Sequence, residues 1–293
     1  MNLSFSPRGW GDLSWEEMIS AALDMKFTGI EVYNLFKFPE MTDRGGPFHK
    51  HKIAATIRQL RDLKLKIPCF DTSVDLSSDP DAVAILSALL ETAAAAQVPY
   101  VVACALTENE ELVGEALEKL LPIAENAGVS LLLKTSGIYA DTARLRQMMD
   151  SFACDQLAAL WDVHHPYRDM GESGDTTIKN LGDYVRHVHL RDSDDEQTYN
   201  LIGEGSYPVD SLMRALYSVD YDGYISLMWK TEWMEDLPGE QWKSIKNFEW
   251  LYEVSNMGRF RSVYKYKNTI VRSGSSAIIS VRPKLLYLNK THS

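Results

Sequence analysis

Residues 100–137 read "YVVACALTENEELVGEALEKLLPIAENAGVSLLLKTSG". The order is a short apolar run, then an amphipathic one, then a second apolar run. Tyr100–Ala105 is too short for a helix and is rich in valine, so it predicts a buried strand. The next segment starts with acids, spaces its leucines and alanines at helical intervals, and stops at Gly128. Those are the marks of a helix whose dipole is matched at its start and whose end is released by glycine. Ser130–Lys134 then returns to a buried strand and closes on a lysine. A strand, a crossover helix and a second strand imply parallel pairing, because two parallel strands cannot be joined by a tight turn.

The unit repeats along the chain. Strand candidates lie at 3–6, 29–34, 66–71, 100–105, 130–134, 157–163, 185–192 and 224–230. Helical patterns fill the gaps, among them "SWEEMISAALDMK", where Ser14 and Glu17 form a capping box. Eight strands alternating with helices predict an α/β protein, a (β/α)8 TIM barrel. A doubly wound open sheet is the competing architecture. It is disfavoured because no glycine-rich phosphate turn follows the first strand. In a barrel the chemistry gathers at the carboxyl ends of the strands, so those residues are the candidates.

Composition narrows the class. The 293 residues carry a net charge of −11 and three cysteines without CxxC spacing, which predicts reduced thiols rather than a disulfide framework or a zinc–thiolate site. No apolar run approaches the ~20 residues of a membrane span, and the amino terminus lacks the pattern of a secretory signal. A cytoplasmic protein is expected. The charge is uneven: Gln241–Ser293 holds ten Lys and Arg against two Glu, so it carries +8 while the remainder carries −19. Two domains are therefore read, a barrel over 1–238 and a small basic module over 239–293 that replaces or follows the eighth helix.

The strand ends hold chemistry. Glu31 lies in the second run and Asp71 ends the third. The sixth ends in "WDVHHPYR", with Asp162, His164 and His165, and the seventh is "HVHLRD". His187 and His189 stand two apart and share a face, which Arg191 continues. An Asp, several His and an Arg at adjacent strand ends suit a metal site or acid–base work.

These motifs, with "LSFSPRGW" and "LIGEGSYPVDSLMRAL", resemble the xylose-isomerase-like TIM-barrel family and its sugar phosphate isomerase/epimerase branch. The resemblance implies a sugar or sugar phosphate ligand, with room for an oligomer. It implies one divalent ion (Mn, Mg, Co or Zn) held by a strand-five Glu, a strand-six Asp, a strand-seven His and a strand-eight Glu. Carried over residue by residue, the metal ligands are Asp162 and His189, while His165 and the loop Gly203-Glu204-Gly205 also match. Arg8, Trp10, Asp71, His187 and Arg191 are read as substrate contacts. The two glutamates do not match: the strand-five position is Lys134 and the strand-eight position is Met228.

That exchange points to an impaired site. An ammonium repels a cation and cannot ligate it while protonated, so Lys134 is expected to pair with Asp162 in the ion's place, and the metal is not expected to bind tightly. Catalysis would then fall to relocated groups, namely Lys134, His165, Glu31 and Glu204. A Lys134 Schiff base with a sugar carbonyl is a further option. A non-catalytic sugar-binding relative is the alternative. In the tail, "EQWKSIKNFEWLYEVSNMGRFRSV" (240–263) resembles the modular motif found beside HNH homing endonucleases. That resemblance implies DNA contact through Arg259, Arg261, Lys265 and Lys267. The competing reading is a small basic appendage with no nucleic-acid role.

Overall fold

A strand that binds neighbours on both sides closes the main sheet of this chain. The computed structural model describes residues 1–9, 13–194, 199–200 and 202–228, together with six short backbone strands between 242 and 286. Strand one is Asn2–Phe5, and strand two runs in two pieces, Gly29–Ile30 and Val32–Tyr33. Strands three to eight are Phe70–Asp71, Tyr100–Ala105, Ser130–Gly137, Leu157–Asp162, Val185–Leu190 and Tyr224–Leu227. Every neighbouring pair is parallel, and strand one lies beside strand eight in the register Ser4–Ser226. The two pieces of strand two stand at opposite ends of the sheet order, so the sheet returns to itself. The backbone shows how: Glu31 N–H donates to Phe5 O at 3.0 Å, while Ile30 and Val32 donate to Lys66 O and Cys69 O on the other side. The predicted eight-fold barrel is the fold.

Local sequence accounts for the elements. The helix Glu110–Ala127 starts from Asn109, whose side chain accepts from Leu112 N–H, and ends at Gly128. The helix Thr142–Phe152 starts from Asp141, which accepts from Ala143 and Arg144. The third strand is shorter than its apolar run, and Pro68, which has no N–H to give to a ladder, explains the late start. Two α-helices have no counterpart in the helix predictions: Pro39–Thr42, and His164–Met170 directly after strand six. At the end of strand five, Gly137 has φ +60° and packs so closely on Ala105 and Leu106 that a Cβ would collide with their backbone.

The barrel interior has two characters. Strands three to six supply Cys69, Val102, Leu132, Ala158 and Leu160 as an apolar cluster. Strands one, two, seven and eight supply Ser4, Glu31, His187, His189 and Ser226, all buried.

The chain divides into two compact units, Met1–Pro7 with Phe27–Met228, and Arg8–Lys26 with Trp229–Ser293. The first contains the whole barrel. In the second, the helix Trp15–Asp24 carries the predicted capping box between Ser14 and Glu17. The described strands of the tail form a four-stranded antiparallel sheet and a two-stranded one. The residues where an eighth helix would follow strand eight lie outside the described residues. Among the described residues, no helix is long and apolar enough to cross a membrane.

Candidate active site at the strand ends

Two ion pairs and a hydrogen-bonded cluster fill the carboxyl end of the barrel. Lys134 Nζ lies 2.9 Å from Asp71 Oδ1, with both side chains buried. This differs from the pairing with Asp162 inferred from sequence. The lysine stem crosses to strand three because Asp71 is fully buried and needs a cation, while Asp162 has one already. Arg191, at the end of strand seven, places Nη2 3.3 Å from Asp162 Oδ1. Burial pushes the Asp162 carboxyl up. The positive charge of Arg191, aided by His165, His189 and Lys134, outweighs it and holds the group well below the usual carboxylate range.

Arg191 also reaches the helix after strand six. Its Nη2 lies 2.7 Å from His165 Nε2, and His165 Nδ1 lies 2.8 Å from Asp169 Oδ2. A guanidinium can only donate, so Nε2 accepts and the ring proton sits on Nδ1, facing Asp169. His164 turns to Ser193 Oγ at 3.1 Å. Burial, then the nearby Arg191, lowers its pKa to about 4, so the ring is neutral at pH 7.

The cluster centres on Glu31. Its Oε1 receives His187 Nε2 at 2.5 Å and His189 Nε2 at 2.8 Å. His187 continues to Ser226 Oγ at 3.1 Å, and Ser226 to Ser4 Oγ at 2.6 Å. Burial alone would raise the Glu31 carboxyl. The charge of His189 and the hydrogen bonds from both rings overcome it and keep Glu31 an anion. Cys69 lies beside it, and burial with the negative charges of Glu31 and Asp71 pushes that thiol up, so it stays protonated.

The family's metal position does not fit a cation here. Of its four side chains, Lys134 is an ammonium held by Asp71, Asp162 is held by Arg191, and Met228 is a buried thioether at the end of strand eight. His189 is engaged too, its Nε2 lying 2.8 Å from Glu31 Oε1, and a tight site needs at least three protein groups. Among the described residues one other set has cation-binding donors. Glu31, His187 and His189 offer atoms within 4.8 Å of one another. Yet Nδ1 of each ring has no hydrogen-bond partner among the described residues. A ring ligating through Nε2 would need its Nδ1–H held by an acceptor. As built, the set is a carboxylate gripped by two Nε2–H donors.

The structure thus brings Glu31, Asp71, Lys134, Asp162, His165, His187, His189 and Arg191 to one end of the barrel. Glu204 stands apart, exposed in its loop. Its neighbours explain the "GEG" sequence: the Asp192 carboxylate accepts from Gly203 N–H at 2.8 Å, Gly205 N–H at 3.1 Å and Tyr207 N–H at 3.1 Å. A Cβ on Gly205 would strike that carboxylate. Arg8 falls in the second unit. Trp10, Arg259 and Lys265 lie outside the described residues, and Arg261 and Lys267 are described only as strand backbone. Sequence reasoning missed Asp192, Ser193 and Arg168, which ties Ser193 O and Ser206 Oγ together at 2.6 and 2.9 Å. The Asp after "HVHLR" was a visible signal for the first. Ser4 and Ser226, the uncharged ends of the Glu31 network, gave none.

Comparison with known proteins agrees with this fold. A family model described as "Xylose isomerase-like TIM barrel" matches residues 7–254, and one described as "NUMOD4 motif" matches 240–282. Fructoselysine 3-epimerases of Escherichia coli O157:H7 and Shigella flexneri are each 29% identical over 128 residues, 42% of this chain and 46% of theirs. The chain thus matches about half the length of these curated relatives. The solved IOLI protein with a binding zinc atom superposes with a TM-score of 0.67 at 17% identity, covering 80% of this chain and 92% of that one. A D-allulose 3-epimerase from Methylomonas sp. gives 0.61 at 21% identity, covering 78% and 84%. At such identities the structures speak for the fold, while the family model spans most of the chain: it belongs to the xylose isomerase-like TIM barrel family.

Proposed function

We propose that this barrel binds a ketose, a ketose derivative or a sugar phosphate at the carboxyl ends of its strands, and that the metal-dependent proton transfer of isomerases and epimerases is disabled in it. The buried Lys134–Asp71 ion pair carries this reading. It commits the side chain at the family's strand-five ligand position, now a cation, to Asp71. A Glu-Asp-His-Glu set attracts such an ion with three negative charges, whereas Lys-Asp-His-Met is neutral without one. The names of the epimerase relatives support a ketose-type ligand. In the pocket Arg191 orients His165, whose Nδ1 proton faces Asp169. Lys134 and Arg191 are both spoken for, so neither offers an uncompensated charge to a reacting carbonyl.

A second reading rests on Glu31. It is ionised, buried and 2.8 Å from His189, so a base exists without a metal. Glu31, His165 and Lys134 would then share the acid–base roles, without Glu204. Incubation with fructoselysine, allulose, tagatose and their phosphates in D2O separates the two. Ligand contact by saturation-transfer NMR without deuterium at the carbon beside the carbonyl is the expected result. Deuterium incorporation that survives chelator establishes the second reading. No contact with any of these sugars overturns both. Metal analysis gives an independent check: the parent should hold no cation at Asp162 and His189, and Lys134→Glu/Met228→Glu should gain about one equivalent.

The domain division at 238/239 and DNA contact by the basic tail stay proposals of the same rank. A gel shift at low salt with full-length protein, and with Arg259, Arg261, Lys265 and Lys267 replaced by Glu, tests the latter. An unshifted duplex removes it.

A further inference from the structure

The opposite end of the barrel carries a feature that the strand-end chemistry does not use. A cavity of about 610 Å³ opens among the amino-terminal ends of strands three, four, seven and eight. That volume is in the range of small-molecule sites. Its walls are apolar: Ile57 and Leu60 of the helix Ile53–Asp62, Leu65, Ile67, Pro68 and Pro99. Its charged lining residues are Arg61, Lys64, Lys66 and Arg186, with no acid among them, in a chain whose net charge is −11. None of the four forms an ion pair within the described residues. Asp183, Asp220 and Asp222 line a neighbouring cleft of about 410 Å³ that shares Arg186.

The mouth is fixed by backbone rather than by side-chain pairing. Lys64 has φ +57°, Leu65 N–H returns to Leu60 O at 2.9 Å, and Lys66 N–H donates to Thr28 O at 3.0 Å. Lys64 and Lys66 are therefore presented from a hydrogen-bonded turn, Arg61 from the helix Ile53–Asp62 and Arg186 from strand seven. His187 also lines the cavity, and its Nδ1, fully buried, has no hydrogen-bond partner among the described residues.

We infer that this cavity is a second binding site, for a small organic anion with an apolar body: a carboxylate or phosphate monoester whose acidic head meets Arg61, Lys64, Lys66 and Arg186 while its body lies on the aliphatic walls. The charge pattern excludes a metal ion and disfavours a free sugar, which would leave the apolar walls unused. The site borders His187, a buried member of the Glu31 network.

Isothermal titration of the full-length protein with octanoate, phenyl phosphate and inorganic phosphate tests the site, with Lys64→Glu/Lys66→Glu and Lys119→Glu as variants, the latter a charge reversal on the exposed face of the helix Glu110–Ala127. Saturable 1:1 binding of octanoate or phenyl phosphate is expected, at least tenfold weaker in the double charge reversal and unchanged in Lys119→Glu. The two organic probes distinguish a carboxylate from a phosphate head. Inorganic phosphate, lacking a body, should bind at least tenfold more weakly than phenyl phosphate. Equal affinities for phenyl and inorganic phosphate, equal binding by parent and charge reversal, no saturation at about 10 mM, or loss of binding in Lys119→Glu would each overturn the inference. So would sedimentation showing that a second copy of the chain closes the cavity at working concentration. The strand-end reading is judged separately by sugar contact and deuterium exchange, so either can fail alone.

Discussion

The two ends of the barrel handle charge in opposite ways. At the carboxyl end, Lys134, Asp71, Asp162, Arg191 and Glu31 are all buried, and each has a partner of opposite charge or two donating rings. At the amino end, Arg61, Lys64, Lys66 and Arg186 are exposed and form no ion pair within the described residues. Burial explains the contrast. A charge taken out of water must be neutralised on the spot, whereas water does that for an exposed one. An end that has neutralised itself has little to offer an incoming ion. The end that leaves its cations to solvent can exchange that water for an anion.

Breaking the Lys134–Asp71 pair should have the largest effect. Lys134→Met takes the ammonium away from Asp71, which has zero exposure, and urea denaturation should show a loss of about 3–5 kcal/mol. Adding Asp71→Asn should recover most of it; a single-variant loss under about 1 kcal/mol would mean that the pair is not a buried one.

Acid should come next. His164 has a folded pKa of about 4, and the unfolded ring titrates near about 6.5. Between these values the unfolded chain binds a proton that the folded one refuses, so stability falls as pH drops through that window. His187, also lowered by burial, acts in the same direction. Glu31 and Asp162 are depressed carboxylates, so their contribution is whole above about pH 4 and is lost as pH falls through their folded values. All four signs agree, and a denaturation midpoint that stayed flat from pH 7 to 4 would contradict the buried arrangement.

Gly205→Ala should cost about 1–3 kcal/mol by pushing the Asp192 carboxylate off its three loop N–H groups. Thermal melting with hydrogen exchange at Gly203 and Tyr207 reads that directly. The smallest effect belongs to the amino end. Lys66→Gln should leave stability within about 0.5 kcal/mol, because its side chain is exposed and only its backbone sits in the ladder.

The fold was legible because crossover helices leave a strong periodic trace, and all eight strands fell where apolar runs predicted them. Site membership was legible for the same reason: alternation along a strand puts His187, His189 and Arg191 on one face before any partner is known. Partner choice was not legible. Lys134 could meet any carboxylate across the barrel interior, and only the register of strands three, five, six and seven assigns Asp71 to it and Asp162 to Arg191. Chemical type also misled where backbone was the real partner. Glu204 looked like the functional acid of "GEG", but the backbone N–H groups of its two flanking glycines are what Asp192 holds.

The Ser4–Ser226 contact has a kinetic consequence. It joins residues 222 positions apart in sequence, and its hydrogen-bond chain runs through His187 to Glu31. The Ser4–Ser226 bond cannot form until the first and last strands meet, which is the slowest kind of event for a chain to find. The apolar half, built from strands three to six, needs only near neighbours. Folding should therefore proceed from the middle of the chain outward, and the Glu31 network should be completed in the same step that shuts the barrel.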